Sequence, residues 1–408
     1  MTHDSAHFRV PTSRLAFLGV ALAFLVVMLG TTLPTPLYPV YQQRFGFSQL
    51  VITVIFAAYA VGVIIALIGT GRWSDQLGRR PLLFAGLIAA AISDGLFLGS
   101  EGLTGLLAGR VLSGVSAGIF TGTATVAVIE LVPPTWRHKA TFVATAVNMG
   151  GLGLGPVIAG LLGQYAPWPL HLAYMVHLGL LALAVAAVWF APETVVRSAH
   201  PRLRLQRLKL PVEVRGVFLP AAIAGFAGFA VLGFFTATAP AFMGEVLGYS
   251  NLALIGIVAG VVFFASTLGQ FVQGRFAERR RLPLGCGVVI VGAGLVGAGI
   301  GIASLGLFVA GAVIVGLGQG IAFRAGLGAV TAASPANQRG SVTSTFFVVT
   351  YVALSIPVLG IGLTARVIGL AATGMGFAGL VALLAAAALV LLLRRRSSTS
   401  THSSHSES

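Results

Sequence analysis

The sequence predicts an all-α integral membrane protein, with twelve transmembrane helices in two pseudo-symmetric halves of six. Three observations carry that prediction. The 408 residues are 57% hydrophobic and only 9% charged, with a mean hydropathy of +0.96. That is more apolar surface than a water-soluble domain can hide, so lipid must be part of the solvent. The apolar residues gather in twelve runs, each near the ~20 residues that cross a bilayer. Basic residues fall in alternate connections between runs, and one long connection divides six from six.

Taken in order, residues 1–14 form a polar tail. The first apolar run is followed by many others, so it reads as a retained span and not a cleaved signal. The predicted spans of the first half are 15–38, 48–71, 81–99, 103–131, 140–163 and 170–191. Those of the second half are 217–243, 252–274, 284–304, 306–333, 341–363 and 367–393. The domain division is therefore a tail (1–14), a six-helix bundle (15–191), a basic linker (192–215), a second bundle (216–393) and a disordered tail (394–408). That last segment ends in a Ser/Thr/His tract that cannot build a core. In the linker, Arg202-Leu203-Arg204-Leu205-Gln206-Arg207-Leu208 alternates charge and leucine. It fits an amphipathic segment at an anionic surface or a solvated charge run.

All basic residues except Arg44, Arg110, Arg324 and Arg366 lie in the termini and one alternate set of loops. By the positive-inside rule both termini are expected to be cytoplasmic, and their lying on one side independently supports an even number of spans. A net charge of +15 would suggest nucleic acid in a soluble protein; here its placement is that of membrane orientation, and no nucleic-acid partner is predicted. The one cysteine, Cys286, excludes an internal disulfide and a cysteine-rich metal site. No metal cluster, nucleophile–base pair or Gly-Lys-Ser/Thr phosphate loop stands out. Enzyme chemistry, a cofactor, a metal and direct ATP drive are accordingly not expected.

Charge and helix breakers concentrate between the second and third spans, in Gly71-Arg72-Trp73-Ser74-Asp75-Gln76-Leu77-Gly78-Arg79-Arg80-Pro81. Gly78 suits a tight turn and Pro81 the first turn of the next helix. This stretch resembles the loop 2–3 signature of the major facilitator superfamily. The chain also repeats itself across the linker: Gly274-Arg275-Phe276-Ala277-Glu278 echoes Gly71–Asp75. Gly316/Gly320 echo Gly114/Gly118, Pro335 echoes Pro133 and Arg339 echoes Arg137. Parallel duplication of a six-helix unit is the architecture expected of that superfamily.

Two further motifs strengthen the resemblance. Arg110-Val111-Leu112-Ser113-Gly114-Val115-Ser116-Ala117-Gly118 resembles the superfamily's fourth-helix motif, whose Arg is associated with proton coupling in antiporters. Gly151-Leu152-Gly153-Leu154-Gly155-Pro156-Val157-Ile158-Ala159-Gly160 resembles its fifth-helix antiporter motif. There, small residues let helices approach and Pro156 permits a bend; Gly151, Gly155, Pro156 and Gly160 are the gating candidates. Pro192-Glu193-Thr194 after the sixth span is another family habit. The chain is most similar to the twelve-span drug/proton antiporters. The resemblance implies a conformational latch of Gly71, Asp75, Gly78, Arg79, Arg80 and Glu130. It also implies a small-molecule substrate, protons as coupling ion and the lipid bilayer as partners, with the chain acting as a monomer. The degraded second copy, Glu278-Arg279-Arg280-Arg281, is expected to be structural.

Polar residues at membrane depth give the remaining candidates. Counting from the hairpin tip near Gly102, Asp94 and Arg110 each reach ~12 Å inward at ~1.5 Å per residue. An Asp94–Arg110 ion pair would be a candidate for proton coupling, or a static pair. Leu33-Pro34-Thr35-Pro36-Leu37-Tyr38-Pro39 should break or bend the first span, placing Thr35, Tyr38 and Gln42 at a substrate entrance, with an interfacial anchor as the other reading of Tyr38. Tyr59, Asn148, Gln319, Arg324, Thr350 and Tyr351 either line a cavity or satisfy a neighbouring backbone group. Arg324, with no acid in the spans of its half, faces the cavity or a substrate anion. His171 and His177 could titrate near neutral pH but read first as packed. The predicted function is export of a small molecule by alternating access with proton antiport; uniport, proton symport or a non-transport sensor on the same fold are the alternatives.

Overall fold

A computed structural model describes residues 14–403 apart from Arg72, Ala199 and residues 202–204. The first half comprises α1 (Arg14–Thr32), α2 (Gln49–Thr70), α3 (Arg79–Leu98), α4 (Leu103–Leu131), α5 (Ala140–Tyr165) and α6 (Leu172–Phe190). The second comprises α7 (Val212–Ala237), α8 (Leu252–Val272), α9 (Glu278–Gly301), α10 (Leu305–Ala333), α11 (Arg339–Ile368) and α12 (Leu370–Ser403). All twelve are long and apolar enough to cross a membrane, and no strand occurs among the described residues. The even number puts the linker and the loops 71–78, 133–139 and 334–338 on one side, the basic face. The α1–α2 and α3–α4 connections lie on the opposite face.

The prolines of the first span act as expected. Proline lacks a donor and crowds the preceding turn, so α1 ends at Thr32. The chain then tightens into a 3-10 turn at Thr35–Leu37 and resumes as a short helix, Tyr38–Phe45, stopped by Gly46 at φ +67°. The span therefore extends past the predicted end at residue 38. At the other terminus, α12 continues to Ser403, so the described part of the predicted disordered tail is helical. After Gly379 that stretch holds neither glycine nor proline to stop it. Residues 404–408, and residues 1–13 of the first tail, lie outside the described residues.

The described linker residues before Val212 form no regular element. Arg202, Leu203 and Arg204 of the alternating segment lie outside the described residues. Leu205 and Leu208 are exposed, while Gln206 is buried. Its backbone N–H donates to the Ile68 carbonyl at 2.7 Å and its amide to Ser341 Oγ at 3.3 Å. The linker thus ties the end of α2 to the start of α11.

Glycine sets the helix spacing within each half. A Cβ at Gly114 would overlap the Tyr59 carbonyl and one at Gly118 the Ala66 side chain, so α4 lies backbone-to-backbone on α2. Gly316 and Gly320 do the same for α10 against Val262 and Ser266 of α8. The repeated glycines perform one task twice, which is the close approach that small residues allow in membranes. Between halves, α2 meets α11 and α5 meets α8. α6 and α12 turn Phe190 (83% exposed) and Leu383 (70% exposed) outward, as lipid-facing helices do.

Candidate functional site

The loop between α2 and α3 builds a charged clasp on the basic face. Gly78 has φ +101°, a conformation that disfavours any side chain, and a Cβ there would strike the Glu193 carboxylate. That carboxylate accepts from the Arg79 N–H (2.7 Å) and the Arg80 N–H (3.2 Å), capping the unpaired donors of α3. Arg79 is buried. Its Nη1 donates to Ser74 Oγ and Asp75 Oδ1, both at 2.6 Å. Its Nε and Nη2 reach the Glu130 carboxylate at 3.3 and 3.0 Å. Arg80 instead donates to the Trp189 carbonyl at 2.6 Å. A Cβ at Gly71 would meet the Leu67 carbonyl. Arg72 lies outside the described residues. The partners named here belong to the first half and its linker. Glu193, which completes the clasp, carries no signal in its own neighbourhood beyond the Pro-Glu-Thr triplet.

The α5 motif lies between α1 and α8. Cβ atoms at Gly151 and Gly155 would strike α1 at Leu25, Met28 and Leu29, while one at Gly160 would strike Leu252 of α8. From α8, Gly256 meets the Pro156 carbonyl and Gly260 the Gly153 carbonyl. The glycines therefore seat α5 on the first half along one edge and on the second half along another.

Arg110 is completely buried. Its Nη1 donates to the Thr31 carbonyl at 2.6 Å. Its Nε donates to the Tyr38 hydroxyl at 3.1 Å, and Nη2 also bonds that hydroxyl. The guanidinium lies 5.6–5.8 Å from the ring centroids of Tyr38, Phe56 and Tyr59. Cation–π attraction of ~0.5–2 kcal/mol per ring offsets part of its burial.

The expected Asp94–Arg110 pair does not form. Equal depth is met, since Ser93 Oγ donates to the Gly109 carbonyl at 2.7 Å. The two side chains, however, leave that interface in different directions. Asp94 Oδ2 lies 2.6 Å from His177 Nδ1 on α6, and His177 Nε2 lies 2.9 Å from the Val26 carbonyl on α1. His177 is therefore a bonded partner and not merely a packed ring.

A cavity of about 410 Å³ lies between the halves, within the size range of small-molecule sites. Tyr59, Asn148, Arg324 and Tyr351 line it. Five other candidates do not. Thr35 and Tyr38 are buried behind it, Tyr38 against Arg110. Gln319 is buried and accepts from Ser266 Oγ at 2.5 Å. Gln42 instead donates to Gln49 at 3.3 Å. Thr350 is buried with its hydroxyl on the Phe347 carbonyl. Much of the polar lining comes from threonines that sequence reading passed over, among them Thr31, Thr121, Thr145 and Thr236. A hydroxyl in an apolar helix gives no signal of the direction it faces.

The cavity reaches Thr141 and Thr343, near the basic-face starts of α5 and α11. At the opposite face the halves meet: Gly362 touches Thr53 and Leu50, and Arg366 Nη2 donates to Ser48 Oγ at 2.8 Å. Arg324 Nη1 donates to the Gln270 carbonyl at 3.2 Å. Its side chain also lines a wider basic-face pocket with Arg279, Arg281 and Arg339.

A sequence model of the Major Facilitator Superfamily matches residues 20–356 and 251–408. The chain belongs to the Major Facilitator Superfamily. With its twelve apolar helices, it is an integral membrane protein of a superfamily of transporters. Among curated proteins, the superfamily member is 28% identical over 181 residues to the multidrug resistance protein MdtD of Cronobacter sakazakii, covering 44% of this chain and 38% of that protein. It is 27% identical over 247 residues to MdtD of Escherichia fergusonii, covering 60% and 48%. The chain thus spans less than half the length of these relatives. Among solved structures, it superposes with a TM-score of 0.73 on a bacterial homologue of the human lysosomal transporter Spinster, inward-facing and unoccupied. That match has 16% identity and covers 94% of this chain and 97% of that one.

Proposed function

We propose that this transporter exports a small amphipathic molecule by alternating access, and that protons moving inward across the membrane drive it. The basic face is taken as cytoplasmic, so the cavity is drawn on its loading side. The observation that carries the substrate reading is the charge of the wall. Arg324 is its cation, and no carboxylate stands among its described lining residues. An organic cation would find no counter-charge there, whereas a carboxylate or another electronegative group would meet Arg324. The aromatic and methionine side chains, including Met28, Phe56, Phe229 and Phe347, suit an apolar body. Arg279, Arg281 and Arg339 outnumber the one carboxylate of that pocket, Glu278, and would draw the same anion toward Arg324 from the basic face.

Export with proton antiport follows the α5 motif and the names of the MdtD relatives. Uniport is the second reading, favoured by the absence of a carboxylate from α1. Proteoliposomes with an imposed pH gradient separate the two, using carboxyfluorescein as the anionic probe and ethidium as the cationic one. Gradient-driven flux of carboxyfluorescein and none of ethidium is expected. Equal carboxyfluorescein flux with and without the gradient would establish uniport, and ethidium flux alone would overturn the anionic reading.

A further inference from the structure

We infer that Asp94 and His177 form a proton-binding site that controls how α1 is seated, on the side of that helix away from the cavity. This inference rests on the proton-coupled reading of the transporter. Its basis is an inventory of hydrogens. His177 presents Nδ1 to the Asp94 carboxyl at 2.6 Å and Nε2 to the Val26 carbonyl at 2.9 Å. The carbonyl can only accept, so Nε2 must carry a hydrogen. A second hydrogen must lie between Nδ1 and Oδ2. Both contacts are made only when the pair holds two protons, whether as imidazolium with carboxylate or as imidazole with carboxylic acid. Remove one, and the single remaining hydrogen can serve only one contact. Either Nε2 turns a lone pair toward a carbonyl oxygen, or Nδ1 turns one toward a carboxylate. Binding one proton therefore closes the α3–α6–α1 junction, and releasing it opens the junction.

The surroundings make this junction specific. His177 is 2% exposed and Asp94 3%. The imidazole fills the space above Gly30 on α1, where any Cβ would overlap it. α1 brings no ionisable side chain between Arg14 and Thr32. α3 brings Asp94. The ionisable residue of α5 is Tyr165, exposed at its far end. On α6 itself, the Tyr174 hydroxyl bonds that of Tyr41 at 3.1 Å. The nearby charge of α4 is Arg110, directed at Thr31 and Tyr38. Two side chains thus hold successive turns of α1 by backbone carbonyls, His177 at Val26 and Arg110 at Thr31. Between and beyond these points, α1 turns Met28, Thr31 and Thr32 into the cavity. A proton gained or lost behind α1 therefore bears on the wall that a substrate touches.

The test needs no substrate. Spin labels on Thr135→Cys and Ala336→Cys, exposed on the basic-face loops of the two halves, report the distance between halves in purified protein from pH 5 to 9. The wild-type distance distribution should titrate as a one-proton transition, and Asp94→Asn and His177→Gln should abolish that titration. Gly30→Ala, which keeps both titrating groups but denies the imidazole its seat, should abolish it too. An unchanged titration in monodisperse Asp94→Asn or His177→Gln protein would overturn the inference. So would a wild-type distribution that does not change with pH, and that measurement decides the matter if the variants fail to fold. If the export reading alone is wrong, carboxyfluorescein flux is lost while the wild-type titration and its sensitivity to Asp94→Asn remain.

Discussion

Thr32 on α1 donates its hydroxyl to the Leu152 carbonyl on α5 at 2.9 Å. That carbonyl is the one Pro156, four residues on, leaves without its helical donor. A freed carbonyl in a membrane interior must find a partner inside the protein, and the neighbouring helix supplies it. Pro156 of the α5 motif and the wall of α1 are therefore one unit.

Thr32→Val, which keeps the shape but removes the donor, should destabilise the protein by about 0.6–2 kcal/mol. In a Pro156→Ala background the loss should shrink, because the restored N–H can bond Leu152. Unfolding of the four proteins in a double-mutant cycle checks this; equal losses in both backgrounds would remove the link.

Within the clasp, Glu193→Ala should cost more stability than Asp75→Asn. Glu193 accepts two backbone N–H groups at the start of α3, a capping role of about 1–2 kcal/mol. The Asp75 side chain is 66% exposed in its pair with Arg79, and such pairs contribute about 0–1 kcal/mol. Thermal unfolding in detergent gives the order, and the reverse order would show that Arg79 depends chiefly on Asp75.

Arg324→Gln should weaken carboxyfluorescein binding about tenfold, or about 1.4 kcal/mol, while Arg324→Lys keeps most of it. Fluorescence-anisotropy titration of purified protein measures both. Unchanged affinity in Arg324→Gln would leave the residue a structural partner of the Gln270 carbonyl.

Arg110→Lys should reduce carboxyfluorescein flux at least tenfold despite keeping the charge. Lysine lacks the planar fork that joins the Thr31 carbonyl and the Tyr38 hydroxyl at once. Tyr38→Phe, which removes one acceptor, should reduce flux less. Flux in proteoliposomes, corrected for inserted protein, decides it; wild-type flux in Arg110→Lys would show that charge alone suffices.

Much of the clasp was legible because it is local. Gly78, Asp75 and Arg79 lie within one turn of chain, where spacing alone nearly fixes contact. Glu130 could be placed only through the family resemblance, and Glu193 was not placed at all, since a contact across 114 residues leaves no local pattern. The Asp94–Arg110 expectation failed for a related reason. Counting residues gives depth along a helix, and depth was right, but depth does not say which way a side chain points around the axis. In helices that are apolar on every side, hydrophobic pattern does not supply that angle.

The sequence by itself determined the membrane as solvent, the twelve spans, their division into halves and the repeated glycines that hold each half together. These follow from composition, period and local helix breaking, which act over a few turns of chain. Tertiary structure alone decided that His177 and not Arg110 meets Asp94, and that Tyr38 cages Arg110 and does not line an entrance. It also placed Arg324 between two cavities. Each of these depends on how a helix is rotated against its neighbours, and that rotation is set by steric fit at close contacts such as Gly30 against His177.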